Sequence, residues 1–482
     1  MMENPTRDDI PEDNMDVPRW KFWKRRRYIV TLMALLGFFN VFALRVNVSV
    51  AIVAMTSTSS RTLENGTVVE ELPEFNWDSK LQGLVLGSYF YGYITTQILG
   101  GWLAARVGGN RLFGLGIGVT SMLTLLTPLL VRVNVYWFIA IRVIEGIFEG
   151  VSYPSMHDVW AHWAPPMERS RLATFAYSGS YIGTVVVMPI SGVLAQNVGW
   201  PAVFYVFGVV GLVWFAAWWV LVKRGPQYDR HIDPRELKYL QDALPVVPKN
   251  VVHPWKKFFA SGPVWAVIVA NFSENWGFYT LLTQLPIFMK DTLEFDIQEA
   301  GFLSALPYVV VSATMQVAGH IADWFLSRKI LNTTQVRKLF CCGAFLCQSL
   351  FMLLAAFLLT PAGAVTCLTL AVGLGAFAMA GFFVNHLDIA PQHASVLLGI
   401  GNTFGTMPGI ISPTITGYIV QHKTTSEWQI VFFISSAIYL VGSIFYGIFA
   451  SGEVQSWAKT QQSDEAIKRS SLDGHSNKAL ET

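Results

Sequence analysis

The stretch FIAIRVIEGIFEG, residues 138–150, places three charged side chains inside an apolar run. Arg142, Glu145 and Glu149 are spaced i, i+3 and i+7, so in a helix they share one face. With a rise of about 1.5 Å per residue, the three charges span roughly 10 Å along the helix axis. A charge at the centre of a bilayer costs from about 2.5 to over 10 kcal/mol, so it persists only when it is paired or faces water. The stretch therefore predicts a membrane helix whose charged face lines an internal cavity.

The composition outside this stretch is also that of a membrane protein. The chain of 482 residues is 52% hydrophobic and 14% charged, whereas soluble domains carry about 25% charged residues. A membrane helix needs about 20 apolar residues, and twelve windows meet that length. They begin near Tyr28, Lys80, Arg111, Val135, Arg171, Gly199, Pro263, Ala300, Val336, Ala362, Ser395 and Glu427. We therefore predict an all-α multi-pass protein with twelve transmembrane spans in the lipid bilayer.

The distribution of Lys and Arg predicts the orientation of the spans. With the amino terminus placed in the cytoplasm, 27 of the 34 Lys and Arg residues lie on the cytoplasmic side. Five lie outside, and Arg45 and Arg142 lie within spans. Cytoplasmic loops of membrane proteins carry this excess of positive charge. Both termini are therefore predicted to be cytoplasmic, and the sequon at Asn65 in the first outside loop is a predicted glycosylation site.

A polar segment at the middle of the chain and internal sequence repeats divide the chain into two halves. GWLAARVGGNR (101–111) resembles GHIADWFLSRK (319–329), and GSYIGT (179–184) resembles GNTFGT (401–406). SMHDVWAHWAP and NHLDIAP form a third repeated pair, separated by nearly the same number of residues as the first two pairs. We predict a basic cytoplasmic segment at 1–27, six-helix bundles at 28–222 and 263–450, a cytoplasmic linker at 223–262 and a disordered cytoplasmic tail at 451–482. Twelve helices in two parallel halves resemble the major facilitator superfamily, in which helices 1, 4, 7 and 10 line a central cavity.

The deep charges all fall on helices that this resemblance places at the cavity. Arg45 lies in span 1, the trio of residues 142, 145 and 149 in span 4, and Glu274 in span 7. A guanidinium binds carboxylates in a bidentate way, and a carboxyl group held away from water binds a proton more readily. This pattern indicates coupled transport of an anion. The alternative for Arg142 and Glu145 is a fixed structural pair.

Other polar residues are weaker candidates for the same site. Glu274 and His157 are candidates for proton coupling, against the alternative of hydrogen-bonded structural residues, and Asn385 is a candidate substrate ligand alongside the two arginines. The predicted gating residues at the cytoplasmic ends of spans are Arg106, Asp323, His386 and Asp388. We predict no catalytic residues and no metal site, because the sequence contains no nucleophile–base motif, phosphate loop or metal-ligand cluster. The net charge of +2 gives no indication of nucleic-acid binding.

Several longer motifs resemble the solute carrier 17 family of anion transporters, which includes sialin, the vesicular glutamate transporters and sodium–phosphate cotransporters. They are ALRVNVSVAIVAM, GSYFYGYITTQILGGWLA, EGIFEGVSYPSMH, WAPPMERSRLAT, NHLDIAP and FASGEVQSWA. The glutamate transporters differ from this chain at Leu86, Glu145 and Glu274, whereas sialin matches Leu86 and both span-4 glutamates. The resemblance therefore favours the sialin-like branch, with its invertebrate and phosphate-cotransporter-like members. It implies that Arg45 contacts a substrate carboxylate and that Glu145 and Glu149 couple protons. His157 matches a functionally sensitive histidine of sialin.

These observations predict a membrane transporter and not an enzyme. The favoured function is proton-coupled symport of an organic anion, an acidic sugar or carboxylate, by alternating access and without a cofactor. The alternatives are a sodium-dependent phosphate or organic anion cotransporter, a vesicular glutamate-type transporter, and a nontransporting membrane receptor. We expect a monomer in the plasma membrane or in a lysosomal or vesicular membrane.

Overall fold

The computed structural model describes residues 24–57, 59–62, 68–243, 254–358, 360–390 and 393–458. Within these ranges the chain forms sixteen α-helices and one short β-hairpin. The helices are α1 (Arg26–Thr56), α2 (Ser79–Val107), α3 (Gly109–Val133), α4 (Val135–Glu149), α5 (Ser152–Trp163), α6 (Pro166–Asn197), α7 (Trp200–Leu221), α8 (Pro234–Ala243), α9 (Trp255–Ala260), α10 (Gly262–Asp291), α11 (Ile297–Ser327), α12 (Thr333–Phe357), α13 (Pro361–Ala378), α14 (Val384–Ile389), α15 (Ala394–Ile419) and α16 (Thr425–Phe449).

In the described part of the chain, twelve long helical segments correspond to the twelve predicted spans. Eight of them are long and apolar enough by themselves to cross a membrane. The other four are α2, α4 with α5, α10 and α15. These four carry the span-4 charges or many Gly, Ser, Thr and Asn residues, which suit contact with other helices and with a polar interior.

Span 4 is interrupted, which the sequence did not predict. Helix α4 ends at Glu149, the chain turns at Gly150 and Val151, and α5 begins at Ser152. Span 10 is likewise built from α13, a π-helical turn at Met379–Phe383 and α14. π-Helical turns occur frequently at functional sites. Both irregular spans are ones that the repeat assigns to the cavity.

The predicted loops contain regular structure. In the first outside loop, β1 (Ser59–Thr62) pairs antiparallel with β2 (Val68–Glu71), with Ser59 opposite Glu71. The linker contains α8 and α9. The predicted disordered tail begins too early, because Trp457 packs 5.2 Å from the ring centroid of Phe258. This contact packs Trp457 against α9 of the linker.

We call the end of the molecule that carries the β1–β2 hairpin the hairpin end, and the end that carries α8 and α9 the linker end. Near the hairpin end, every residue from Asn40 to Val53 in α1 and from Tyr279 to Met289 in α10 is buried. Nearer the start of α1, Leu32 and Leu36 are exposed. The helices therefore close around α1 and α10 at the hairpin end.

Two contacts between the halves of the chain form this closure. Helix α2 meets α15 so closely that a Cβ at Gly83 would overlap the carbonyl oxygen of Pro413. Helix α6 meets the start of α11, where the backbone N–H of Gln298 donates to Oε1 of Gln196 at 3.0 Å. Further along α2, toward the linker end, no described atom outside the glycine's own stretch of helix lies within 4 Å of the position of a Cβ at Gly101.

The linker docks onto the start of α1. Glu236 of α8 accepts hydrogen bonds from the backbone N–H groups of Arg26 (2.8 Å) and Arg27 (3.2 Å). The Arg27 side chain pairs with Glu236 at 3.0 Å and with Glu168 at the start of α6, also at 3.0 Å. Arg26 pairs with Asp229 at 2.6 Å. Because Arg25 provides no side-chain cap, Glu236 satisfies the free amides of α1 from a distant part of the chain.

Candidate functional site

Arg45 lies inside a cluster of aromatic rings. Its guanidinium carbon is 4.8 Å from the ring centroids of Phe42, Tyr89 and Tyr93, and 5.9 Å from that of Phe90. The residue is 6% exposed. Aromatic faces stabilise a cation through their quadrupole. The rings therefore hold the charge inside the protein without neutralising it.

Tyr89 connects Arg45 to Glu149. The Nη2 group of Arg45 donates to the Tyr89 hydroxyl at 2.8 Å, and that hydroxyl donates to Oε2 of Glu149. The direct distance between Arg45 Nη2 and Glu149 Oε2 is 3.8 Å. Arg45 Nε and Glu149 Oε1 are buried without a hydrogen-bond partner. The guanidinium and the carboxylate thus each retain capacity for a ligand or a proton.

A glycine allows this connection. A Cβ at Gly146 would overlap the carbonyl oxygen of Tyr89 and lie 2.8 Å from the backbone nitrogen of Tyr93. Small residues at a helix interface let two membrane helices approach closely. The absence of a side chain at Gly146 therefore brings α2 against α4 and places the Tyr89 hydroxyl beside Glu149.

Arg142 and Glu145 form a separate ion pair, in which both carboxylate oxygens are hydrogen-bonded. Arg142 Nη1 lies 2.6 Å from Glu145 Oε2 and also donates to the carbonyl oxygen of Leu44 at 3.3 Å. The other oxygen of Glu145 accepts a hydrogen bond from Thr124 at 2.9 Å. Both carboxylate oxygens of Glu145 therefore have partners, in contrast to those of Glu149.

Glu274 lies on α10 in the second half of the chain, beside a small cavity. Its Oε1 accepts a hydrogen bond from Gln348 Nε2 at 3.4 Å, and the same nitrogen donates to the Tyr439 hydroxyl at 3.2 Å. Glu274 Oε2 is buried without a partner. Neither Arg45 nor Glu149 lines this cavity.

The aromatic layer over Arg45 reaches from one half of the chain to the other. Phe90 of α2 lies 4.6 Å from Tyr279 of α10, measured between ring centroids, and Tyr279 lies 5.4 Å from Phe278. Phe278 lines the cavity beside Glu274. Arg45 and the cavity are thus separated by a layer of aromatic side chains.

The candidates on α14 are packed within the second half. Asn385 donates to the Tyr446 hydroxyl at 2.9 Å and is fully buried. Asp388 pairs with Arg337 at the start of α12, at 2.7 Å. His386 is buried and packs edge-on against the ring of Phe383. None of the three lines the cavity beside Glu274.

Two of the remaining candidates are exposed, and the side chains of the other two lie outside the described residues. His157 of α5 is exposed near the linker end, close enough to His386 for an electrostatic interaction. Arg106 is exposed on α2, and its guanidinium carbon lies 4.0 Å from the Trp102 ring centroid. Asn65 and the side chain of Asp323 lie outside the residues that the structure describes.

Sequence reasoning missed the neutral partners of the charges. Tyr89 and Tyr93 were not among the predicted site residues, although their i, i+4 spacing on one face of α2 could have indicated a cation site. Gln348 is the single amide within the apolar stretch 339–357 of α12, and a polar residue deep in an apolar run is also the signal that identified Glu274. Tyr439 gave no signal, because one tyrosine in an apolar span is usual.

Known proteins resemble this chain in sequence over most of its length. The sequence profile of the Major Facilitator Superfamily matches residues 30–413. Vesicular glutamate transporter 1 of Bos taurus is 45% identical over 448 residues, covering 91% of this chain and 80% of that protein. Vesicular glutamate transporter 2 of Homo sapiens is 43% identical over 446 residues, covering 91% and 76%.

Solved structures share the fold at low sequence identity. A bacterial homologue of the human lysosomal transporter Spinster, in an inward-facing and occupied conformation, matches with a TM-score of 0.67 at 14% identity, covering 87% of this chain and 96% of that chain. A D-xylose–proton symporter matches with a TM-score of 0.65 at 17% identity, covering 88% and 99%. These similarities confirm the predicted fold class.

Proposed function

The chain belongs to the Major Facilitator Superfamily and, within it, to the solute carrier 17 anion transporters, and from this premise we propose that it is a proton-coupled symporter of an organic carboxylate. Family membership makes the chain a multi-pass membrane transporter of anions and not an enzyme. The coupling ion, the substrate and the residue roles that follow are our proposal. The favoured substrate class is an acidic sugar or another monocarboxylate.

The connection from Arg45 through Tyr89 to Glu149 carries the proposal. When Glu149 is ionised, its negative charge 3.8 Å from Arg45 Nη2 offsets the guanidinium. When Glu149 binds a proton, that charge disappears and the guanidinium becomes available to a substrate carboxylate, which it can bind in a bidentate way. Anion and proton then load together, as symport requires.

The Arg142–Glu145 pair has a different proposed role. Because both oxygens of Glu145 are hydrogen-bonded, we assign this pair to holding α4 against α3 and α1. Glu149 is then the proton carrier. This assignment favours the fixed-pair alternative for Arg142 and Glu145 over substrate binding and proton coupling.

The closed hairpin end suits one state of alternating access. Arg45 and Glu149 are buried beneath aromatic rings in this state, so substrate entry requires the rings to move. Alternating access in this superfamily is largely a rocking of one helix bundle against the other around a site near mid-membrane. We propose that the two predicted bundles move in this way, with Arg106, Asp323, His157, His386 and Asp388 at the end that opens.

Proteoliposome uptake tests the coupling. We expect a pH gradient to drive accumulation of a labelled acidic sugar, and a sodium gradient alone to drive none. Glu149→Gln should abolish proton-driven accumulation while retaining exchange of internal for external substrate, because the neutral amide mimics only the protonated state. Glu453→Gln, at an exposed acid, is the control and should behave as wild type. Unchanged accumulation by Glu149→Gln would contradict the proposal.

Glutamate transport is the second candidate, and sequence identity favours it. The relatives compared above are named vesicular glutamate transporters. Among the described residues, however, no arginine or lysine lines the cavity beside Glu274, so a second carboxylate would have no cationic partner there. Adding labelled glutamate to the uptake panel, with a membrane potential imposed, distinguishes the two functions. Saturable glutamate uptake without acidic-sugar uptake would replace our substrate class.

Sodium-dependent phosphate transport remains the third candidate, and the sodium gradient in the same assay tests it. Sodium-driven phosphate uptake would replace proton coupling.

The orientation and location of the protein are also proposals. We propose that both termini face the cytoplasm and that Asn65 carries a glycan on the opposite side. A glycosidase-sensitive mobility shift that Asn65→Gln abolishes would support this orientation. Microscopy of the tagged full chain separates the plasma membrane from lysosomal and vesicular membranes.

A further inference from the structure

The cavity beside Glu274 lies at the boundary between the two halves of the chain. Its apolar walls come from α10, α11, α13 and the π-helical turn, and its polar groups are Glu274, Gln348, Tyr439 and Tyr181. Tyr181 belongs to α6 of the first half. The cavity therefore lies where the two predicted bundles meet, and where a substrate of this superfamily is expected.

The polar groups of the cavity leave acceptors without donors. The amide nitrogen of Gln348 donates hydrogen bonds to Glu274 Oε1 and to the Tyr439 hydroxyl. Glu274 Oε2 and Gln348 Oε1 are both buried without a hydrogen-bond partner. Leaving such acceptors unpaired is costly. A ligand that donates hydrogen bonds to these two oxygens would recover that cost.

The same arrangement disfavours a negatively charged ligand group. The polar groups that line the cavity are one acid, one amide and two phenols, and none of them is a cation. An ionised Glu274 would repel a second carboxylate, and the apolar walls would not solvate it. The group that fits is therefore a hydrogen-bond donor without negative charge.

The cavity is within reach of a substrate held at Arg45. Tyr279, which contacts the ring of Phe90 over Arg45, lies five residues after Glu274 on α10. At about 1.5 Å per residue the two positions differ by roughly 7.5 Å along the helix axis. Arg45 itself lies beyond Tyr279, across the ring of Phe90, so a ligand held at Arg45 reaches the cavity when these aromatic rings move aside.

We propose that this cavity is a second substrate subsite, which binds the hydroxyl-bearing end of a carboxylate whose anionic end is held by Arg45. This inference rests on the proposed function at Arg45. Glu274 and Gln348 accept hydrogen bonds from the hydroxyl groups, while the apolar walls contact the carbon chain. The subsite thereby selects acidic sugars over carboxylates that carry a second negative charge.

A matched series of six-carbon carboxylates tests the proposal. Gluconate carries hydroxyl groups, hexanoate none, adipate a second carboxylate and 6-aminohexanoate an ammonium group. Binding of each to the purified full chain is measured by calorimetry. We expect gluconate to bind at least tenfold more tightly than hexanoate or adipate. Equal binding of adipate and gluconate would overturn the subsite, and tightest binding of 6-aminohexanoate would overturn its assignment to hydroxyl groups.

Two variants connect the preference to the cavity. In Glu274→Leu the ratio of gluconate to hexanoate affinity should fall at least tenfold, and in Gln348→Leu it should fall by a smaller factor. Thermal unfolding establishes that each variant is folded, and the milder Glu274→Gln replaces Glu274→Leu if the latter is not. Glu453→Gln should retain the wild-type ratio. An unchanged ratio in folded variants of both cavity residues would refute the inference.

Arg45→Ala separates the subsite from the proposed function. If it abolishes binding of the carboxylates while the Glu274 and Gln348 variants leave the ratio unchanged, only the subsite is refuted. If binding does not depend on Arg45, the proposed function itself fails, and the subsite fails with it.

Discussion

At the scale of single residues, two arginines with the same charge are held in different ways. Arg45 is surrounded by aromatic rings and reaches Glu149 mainly through Tyr89. Arg142 is held directly by Glu145. The charge of Arg142 is offset directly by a carboxylate 2.6 Å away, whereas the nearest carboxylate oxygen to Arg45 lies at 3.8 Å. This difference leads us to assign substrate binding to Arg45.

Arg45→Lys tests whether the planar guanidinium matters. Lysine keeps the charge but loses bidentate binding and the stacking of a flat cation on the rings. A hydrogen bond to a charged group contributes about 1.5–3 kcal/mol, so we expect uptake of a labelled carboxylate to fall at least about tenfold. Arg132→Lys, at an exposed arginine paired with Glu74, is the matched control. Wild-type uptake by Arg45→Lys would mean that only the charge is needed.

Glu145→Gln should mainly lower the stability of the protein, whereas Glu149→Gln should mainly abolish proton coupling. Removing one partner of a buried ion pair costs about 3–5 kcal/mol, so Glu145→Gln should unfold at a clearly lower temperature in detergent. Glu149→Gln removes a charge that Arg45 meets only at 3.8 Å, so its unfolding temperature should change less while proton coupling is lost. If Glu149→Gln is the less stable of the two, the assigned roles must be exchanged.

At the scale of helices, the linker is a structural part of the first half. Glu236 of α8 caps α1 and pairs with Arg27, which in turn pairs with Glu168 of α6. A carboxylate at a helix N-terminus satisfies free amides and interacts favourably with the helix dipole. The start of α1, the start of α6 and α8 therefore form one charged cluster at the linker end.

Glu236→Ala should loosen this cluster. The variant leaves Arg27 with one acidic partner fewer and exposes the first amides of α1, at a cost of about 3 kcal/mol for a buried pair. We expect faster hydrogen exchange at residues 26–29 and a lower unfolding temperature. Asp242→Ala, at an exposed acid in the same helix α8, should change neither. Exchange at residues 26–29 that matches wild type would show that the cap is dispensable.

At the scale of the whole molecule, the closed hairpin end depends on close contact between the halves. Helices α2 and α15 touch at Gly83 and Pro413, and α6 touches α11 at Gln196 and Gln298. These contacts cover the polar cluster at Arg45 and Glu149 from that end. A transporter that alternates access must break them once in every cycle.

Gly83→Ala should therefore shift the molecule away from the closed state. The added methyl group would overlap the Pro413 carbonyl, and overpacking costs about 1–3 kcal/mol. Spin labels at residues 80 and 421, in a background without the native cysteines, should report a larger separation in this variant. Gly101→Ala, where the structure leaves open space, is the control on the same helix. An unchanged distance distribution in Gly83→Ala would refute this view of the closure.

The amino-acid sequence by itself determined the fold class and the polar positions. The lengths of the apolar runs predicted twelve spans. Because burying a charge in lipid is costly, the charged residues inside these runs were recognised as candidate site residues, among them Arg45, Glu145, Glu149 and Glu274. The repeated motifs added the two-half architecture. These inferences need only the local pattern, because the bilayer imposes the same requirement on every span.

Only the tertiary structure decided which polar groups act on one another. The sequence offered a fixed pair with Arg142 as the alternative for Glu145 but could not decide between that pair and proton coupling, because Glu145 and Glu149 lie on the same face of α4. Their difference arises from Thr124 on α3 and Tyr89 on α2, which lie far away in the chain. The sequence also could not predict that Glu236 caps α1, nor that the glycine at position 146 brings Tyr89 to Glu149. Such pairings depend on how helices approach one another, and that geometry results from packing across the whole molecule rather than from any one segment.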